Sequence, residues 1–243
     1  MKIAIAGAGD LSHYFYEEFT LHGHDTIALT RTFKAFLSSL SIEQRITDYS
    51  IPDLVEKLSD CEAFQNEEPR YMTETREPVQ QALKAQCEVQ WTLVLNGWYI
   101  LPAKQRYFAD LVNGAWSMDH ERKVFTMYED GLTPVTLTSA RDTARAVARL
   151  VERSDWEEYT HLAGETLTWT GLYAIVQRRD SGWKVSRKSY GDAVKEVDVA
   201  EESGNGRQIE KAKDQRCLYF QGLHFRGIEE IMDEAGTRPD AII

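Results

Sequence analysis

The stretch Met1-Lys-Ile-Ala-Ile-Ala-Gly-Ala-Gly9 decides how the rest of the chain is read. Ile3 to Ala6 is a short apolar run. It breaks into Gly7-Ala8-Gly9, and a helical pattern follows in which Leu11, Phe15 and Phe19 recur every four residues. A strand that ends in glycines and turns into a helix opens a dinucleotide-binding βα unit. The glycines let the backbone approach a pyrophosphate, and the helix N-terminus meets it with unpaired N–H groups. Gly7, Gly9, Asp10 and Leu11 are therefore candidate cofactor-binding residues. A standard turn of this kind carries a third glycine where this chain has Ser12, a residue small enough to keep helix and strand in contact.

Moving outward, Asp25 to Thr30 reads as a second strand and Arg45 to Asp48 as a third. Helices are expected over 10–21, ended by Gly23, and over 50–58. This is the first half of a doubly wound parallel sheet. The next central strand should be a buried apolar run, but residues 59–70 contain none. A helix is expected from Thr73 to Ala85, and Trp91 to Asn96 reads as a parallel strand. Residues 124–128 and 134–138 read as strands around the turn Glu129-Asp130-Gly131. Ser139-Ala-Arg-Asp142 is a capping box that opens a further helix. Beyond it come a helix near 172–178, a weak strand from Lys184, a polar stretch 201–214 that could form a loop or lid, and a last helix over 227–235. The expected architecture is α/β: a Rossmann-like domain over 1–153 and a smaller α+β substrate region over 154–243.

Composition narrows the function. The net charge of −11 disfavours contact with a phosphate backbone, so no nucleic-acid partner is expected. No apolar run approaches the ~20 residues that span a bilayer, and the N-terminus does not read as a signal peptide, so a soluble cytoplasmic protein without a membrane partner is expected. The three cysteines, Cys61, Cys87 and Cys217, are scattered, and the six histidines form no ligand cluster, so neither a disulfide framework nor a metal site is expected.

The end of the second strand selects the cofactor. A site for NAD places Asp or Glu there to hold the ribose hydroxyls. Here Thr30 and Arg31 stand there, with Lys34 close behind, and an arginine suits a 2′-phosphate through planar, charge-assisted hydrogen bonds. NADP(H) is the expected cofactor. Asp48 and Tyr49, after the third strand, are expected near the adenine. Asn96, with Gly97, Trp98 and Tyr99, ends a strand where open α/β sheets place ligands. Asn96 is assigned to the cofactor, and Gly97, Trp98, Tyr99, Trp116 and Tyr128 to the substrate, with Met118 beside them. Interdomain packing is the competing reading for these aromatics.

The chain resembles the NmrA-like and isoflavone-reductase-like group of atypical short-chain dehydrogenases, particularly fungal members. The resemblance rests on Ile3 to Leu11, Ala28-Leu-Thr-Arg31, Thr47-Asp-Tyr-Ser50, Trp91-Thr-Leu through Asn96-Gly-Trp98, Thr136 to Asp142 and Leu162 to Trp169, in that order. It implies a Rossmann domain, a small substrate domain and NADP(H). It also implies reduction of phenylpropanoid-type or other specialised metabolites, or redox sensing with a protein partner. Two departures stand out. Roughly fifty residues of the family's length are absent near 60–67, which would remove the strand beside residues 2–6 and let Trp91–Asn96 move in to replace it. The family's reductases also carry a lysine at the position matched here by Arg76, with Tyr71 five residues earlier as a second candidate catalytic group. Arginine stays charged and is a poor proton donor, yet it can bind and polarise an oxygen.

The leading expectation is an NADP(H)-dependent oxidoreductase that passes hydride to a carbonyl, imine or activated alkene of an aromatic, alkaloid-like or terpenoid-like small molecule. An NADP-binding redox sensor with a protein partner, or a non-redox cyclase or isomerase using the same pocket, are the alternatives. A homodimer stays open.

Overall fold

A computed structural model describes residues 1–66, 76–85, 87, 90–100, 118–119, 121–189 and 224–237. The chain forms two compact units, Met1–Leu93 with Ala144–Glu158, and Val94–Thr143 with Tyr159–Ile243.

In the first unit, β1 (Lys2–Ala6) pairs in parallel with β2 (Asp25–Thr30), and β2 pairs in parallel with β3 (Glu43–Ile46). The helix between β1 and β2, α1 (Asp10–Leu21), buries the predicted stripe: Phe15 and Phe19 are 2% and 0% exposed. Its end follows the expected chemistry, with Gly23 at φ +76° where a side chain would be strained. A short helix α2 (Ala35–Ser39) leads to β3, and α3 (Ile51–Leu58) follows it. The third strand sits two residues earlier than its pattern suggested.

The strand beside β1 corrects the sequence reading. It is β4 (Ala63–Asn66), parallel to β1 with Ile3 opposite Ala63 and Ala6 opposite Asn66. The sheet order β3-β2-β1-β4 is therefore that of a doubly wound fold at its switch point. Trp91–Asn96 does not replace it: β5 (Leu93–Leu95) pairs elsewhere, with β10 (Tyr159–His161). The entry into β4 is held by charge as well as by the packing of Leu58 and Cys61 on the core of Ala4, Ile27 and Leu29. Arg45 forks onto Asp60 at 2.5 and 2.9 Å and also reaches Glu43 and the Lys57 carbonyl. Lys2 Nζ meets Asp60 at 2.7 Å. The Glu62 N–H then donates to the Lys2 carbonyl, setting the register. The helix α4 (Arg76–Ala85) follows.

In the second unit, β6 (Trp98–Ile100) runs parallel to β9 (Pro134–Ser139), which pairs antiparallel with β11 (Glu165–Thr168). A second sheet joins β7 (Met118–Asp119), β8 (Val124–Tyr128) and β12 (Lys184–Lys188) in the order β12-β8-β7. The core gathers Phe125, Met127, Leu137, Leu172 and Trp183 with Ile228 and Ile231, from α6 (Trp169–Arg179) and α7 (Ile228–Thr237) among others. Ser139 caps α5 (Ala140–Leu150) as its box predicts, its Oγ accepting the Asp142 N–H at 2.9 Å. The unit boundary falls within α5.

Asp142 is fully buried and is paid back in one contact set. Its carboxylate accepts the Arg226 backbone N–H at 2.9 Å and Nε at 3.2 Å, while Arg226 also donates to Ser139 Oγ and to Glu234. Among the described residues no helix is long and apolar enough to cross a membrane.

Two outcomes follow from these ion pairs. Arg226→Met leaves a buried carboxylate without its cation and is expected to cost about 3–5 kcal/mol in chemical denaturation. Asp60 behaves differently with pH. Arg45 and Lys2 hold its carboxyl well below the usual carboxylate range, so its contribution is present above pH ~4 and is lost as pH falls further. Asp60→Asn should lower the melting temperature at pH 7, and the gap from wild type should close on acidification toward pH ~2. A gap that stays constant down to that pH would contradict the ion-pair account.

Candidate cofactor site

Gly7 leaves β1 at φ +105°, a conformation open to glycine. Two hydrogen bonds hold it there, and a third braces Gly9 beside it. Its N–H donates to the Leu29 carbonyl at 2.9 Å, the Tyr16 hydroxyl donates to its carbonyl at 2.8 Å, and Ser12 Oγ donates to the Gly9 carbonyl at 2.6 Å. Sequence reasoning missed Tyr16. The signal was present: Ser12 and Tyr16 stand four apart on α1, hence on one face, below the turn they brace. Ser12 thus does more than fit where a third glycine is usual.

Gly9 differs from Gly7. Its φ of −85° and ψ of −176° suit any residue, and a Cβ built on it meets nothing within 4 Å. Neither backbone geometry nor packing within the protein calls for glycine there. Close approach of a ligand does. Gly9 is also the N-cap of α1 and makes no side-chain cap bond, so the first-turn N–H groups, those of Asp10 and Leu11 among them, form an anion-ready end. The side chain of Asp10 lies outside the described residues. Leu11 itself is buried in the helix–sheet core.

The ends of β2 and β3 complete this side of the site. Thr30 is 3% exposed, and its Oγ1 is a buried atom with no hydrogen-bond partner among the described residues. Such an atom costs stability unless something binds it. Arg31 lies over the ring of Tyr49, its Cζ 5.2 Å from the centroid, and forms no ion pair among the described residues. Tyr49 is anchored in turn: its hydroxyl donates to the Leu29 carbonyl at 2.7 Å and its N–H to Thr47 Oγ1 at 2.9 Å. Burial pushes its phenol up, against the lowering pull of Arg31 and the Gly7 N–H. Arg31, Ile46, Thr47, Asp48 and Asp53 line a surface depression of about 460 Å3.

Both carboxylates there are occupied. Asp48 accepts the Ser50 N–H at 2.7 Å, and Asp53 accepts the Asp48 N–H at 3.2 Å; the Ser50 side chain, and then its N–H, hold the Asp48 carboxyl below the ordinary range. Lys34 is exposed at the N-cap of α2, where its N–H is bonded to Gln44. The structure thus brings Gly7, Gly9, Thr30, Arg31, Asp48 and Tyr49 to one end of one sheet.

The other candidates fall in the second unit, apart from Arg76 and Tyr71. Asn96 has a buried Nδ2 without a partner among the described residues, while its carbonyl accepts Thr138 Oγ1 at 2.7 Å. Thr138 Oγ1 also accepts the Gly164 N–H at 3.1 Å. Gly97 stands at φ +68°, and a Cβ there would meet the Thr136 carbonyl oxygen at 2.4 Å, so glycine is required by the fold. Trp98 is 44% exposed on β6. Met118 is core, 7% exposed, and packs rather than lining a pocket. Arg76 begins α4, and Tyr99 and Tyr128 lie on β6 and β8; their side chains, with all of Tyr71 and Trp116, lie outside the described residues, as does 201–214.

No family model matches the chain. Two curated relatives, each named oxidoreductase swnR, align along the whole of both chains: that of Arthroderma benhamiae is 27% identical and that of Metarhizium robertsii 28%. Each alignment runs to 306 positions, so at least 63 of them face gaps in this 243-residue chain. The deficit in length is therefore present relative to these relatives, while the strand beside β1 is retained. Among solved structures, an isoflavone reductase superposes with a TM-score of 0.64 at 13% identity, covering 96% of this chain and 98% of that one. An NAD-dependent NDP-hexosamine 5,6-dehydratase superposes with 0.54 at 13% identity, covering 94% and 99%.

The two glycines predict opposite behaviour. Gly7→Ala is expected to cost about 1 kcal/mol or more in stability, because alanine resists φ +105°. Gly9→Ala should leave the unfolding transition within about 0.5 kcal/mol of wild type and weaken dinucleotide binding in a titration. Equal damage to stability would show that Gly9 serves the fold.

The chain is thus similar along its whole length to two curated oxidoreductases, and the strand order at the switch point and the superpositions show a Rossmann-like, doubly wound α/β fold.

Proposed function

We propose that the chain is an NADP(H)-dependent oxidoreductase of the cytoplasm that acts on a small specialised metabolite of aromatic, alkaloid-like or terpenoid-like character. The observation that carries the cofactor is Gly9, a glycine that neither its backbone angles nor its packing requires and that close approach of a dinucleotide would explain. Both relatives being named oxidoreductases, and an NAD-dependent dehydratase standing among the structural neighbours, support oxidoreductase chemistry with a nicotinamide dinucleotide. A bound nicotinamide supplies or accepts the hydride for a carbonyl, imine or activated alkene. The chain's own residues do the rest. The turn Gly7–Gly9 and the start of α1 hold a pyrophosphate, and the Thr30 hydroxyl is available to a ribose oxygen. Arg31, a cation without a carboxylate partner among the described residues, takes the 2′-phosphate. Asn96 offers a buried N–H2 to a carbonyl oxygen. Arg76 binds and polarises an oxygen without giving up its proton near neutral pH.

Arginine in place of the reductases' lysine favours a second reading, an NADP-binding redox sensor acting on a protein partner. One experiment addresses both. NADPH and NADH are titrated by quenching of tryptophan fluorescence, and NADPH oxidation is followed with carbonyl, imine and alkene substrates. NADPH should bind tighter than NADH. Arg31→Ala should weaken NADPH binding roughly 10- to 100-fold, the value of a charged hydrogen bond or two, and leave NADH within about twofold. Binding of neither cofactor would overturn the proposal. NADPH binding without turnover across the panel would favour the sensor.

A further inference from the structure

Tyr49 is fixed more firmly than a loop residue near an adenine needs to be. Its backbone stands in the left-handed region at φ +63°, uncommon for an aromatic residue and a cost that must be offset locally. Its N–H is bonded to Thr47, its hydroxyl to the Leu29 carbonyl, and its ring packs against Ala4, Ile27 and Leu29. The Leu29 carbonyl also accepts the Gly7 N–H. One carbonyl therefore ties the phosphate turn to the ring, and the ring's outer face carries the Arg31 guanidinium.

The charges around Arg31 have an equally specific arrangement. Asp48 and Asp53 line the same depression, and either could have drawn the guanidinium into an ion pair. Both instead accept backbone N–H groups around the start of α3. The cation rests on a π face, which stabilises it by about 0.5–2 kcal/mol while leaving its N–H edges open.

We infer that Tyr49 is a positioning residue that selects a 2′-phosphorylated dinucleotide: its locked ring holds the Arg31 guanidinium over its face and clear of Asp48 and Asp53, with its N–H groups toward a phosphomonoester in the depression. The inference rests on the reading of Arg31 as the 2′-phosphate ligand and adds the residue through which Arg31 acts. Tyr49 itself need not touch the phosphate. A flexible, solvated arginine would lose side-chain entropy on binding, whereas one already laid on a ring loses less.

The test is the ratio of NADH to NADPH dissociation constants, because general damage to the fold weakens both cofactors alike. Tyr49→Leu keeps an apolar side chain in the cluster and removes the ring; it should reduce the preference for NADPH about 3- to 10-fold. In an Arg31→Ala background the same substitution should leave the ratio unchanged. Tyr49→Phe keeps the ring but removes its bond to the Leu29 carbonyl, so its ratio should fall between those of wild type and Tyr49→Leu. A second measurement uses the wild-type chain alone. The ring resonances of Tyr49, assigned with Tyr49→Phe, should shift with 2′,5′-ADP and much less with 5′-ADP.

A wild-type ratio near one would overturn the Arg31 reading and the inference with it. A clear wild-type preference that survives Tyr49→Leu, that Tyr49→Leu still lowers when Arg31 is already alanine, or that Tyr49→Phe abolishes as fully as Tyr49→Leu would leave the Arg31 reading standing and overturn the role of Tyr49. Equal resonance shifts with both nucleotides would also overturn it.

Discussion

The first unit depends on the left-handed turn at Gly7. Its N–H closes on β2 through Leu29 and its carbonyl is held by Tyr16 from α1. One residue thereby sets where the first strand stops, how the helix leaves it and which atoms of the second strand lie beside the turn. A side chain at this position would strain the backbone, and the strand, helix and turn could no longer share these bonds. Thr30 and Arg31 follow Leu29 directly, and Tyr49 donates its hydroxyl to the same Leu29 carbonyl. The candidate site is thus built around a constrained corner of the fold.

The sequence made this half of the molecule legible because its signals are short-range. A glycine pair after an apolar run, a four-residue stripe on α1 and a β-branched second strand each depend on neighbours close in the chain. The predicted bounds of β1, α1 and β2 hold residue for residue. The strand beside β1 was not legible for a physical reason. Ala63-Phe-Gln-Asn66 has two apolar residues in four, and an ion-pair network around Asp60 helps align its entry. Hydropathy cannot report a strand positioned in part by Arg45, eighteen residues before its start. The same blindness covers Thr138, whose hydroxyl joins Asn96 to Gly164 across 42 and 26 residues. Candidate site residues defined by local motif were legible; residues defined by what they brace, Tyr16 and Thr138, were not.

Charge placement separates the two kinds of polar residue in this chain. Asp60, Asp48 and Asp53 spend their charge on neighbouring donors, and Asp142 on Arg226. Arg31, Thr30 Oγ1 and Asn96 Nδ2 are left without such partners among the described residues. In a folded protein most buried polar atoms are satisfied, so each exception calls for an explanation. Among the described residues there are three such side-chain atoms, His24 Nε2, Thr30 Oγ1 and Asn96 Nδ2, and the last two belong to residues singled out from sequence motifs.

The pairing of Asp142 with Arg226 spans 84 residues, and it sits at the start of α5 beneath the cap from Ser139. During synthesis the aspartate is made first and its cation follows 84 residues later. At cellular elongation rates that interval is on the order of ten seconds. Throughout it the carboxylate has to remain hydrated, which keeps the start of α5 and the β9 end open to water. The second unit therefore completes its core only once Arg226 and the helix carrying Ile228 and Ile231 have been made. A nascent chain of this protein exposes its second unit to chaperones and proteases for longer than its first.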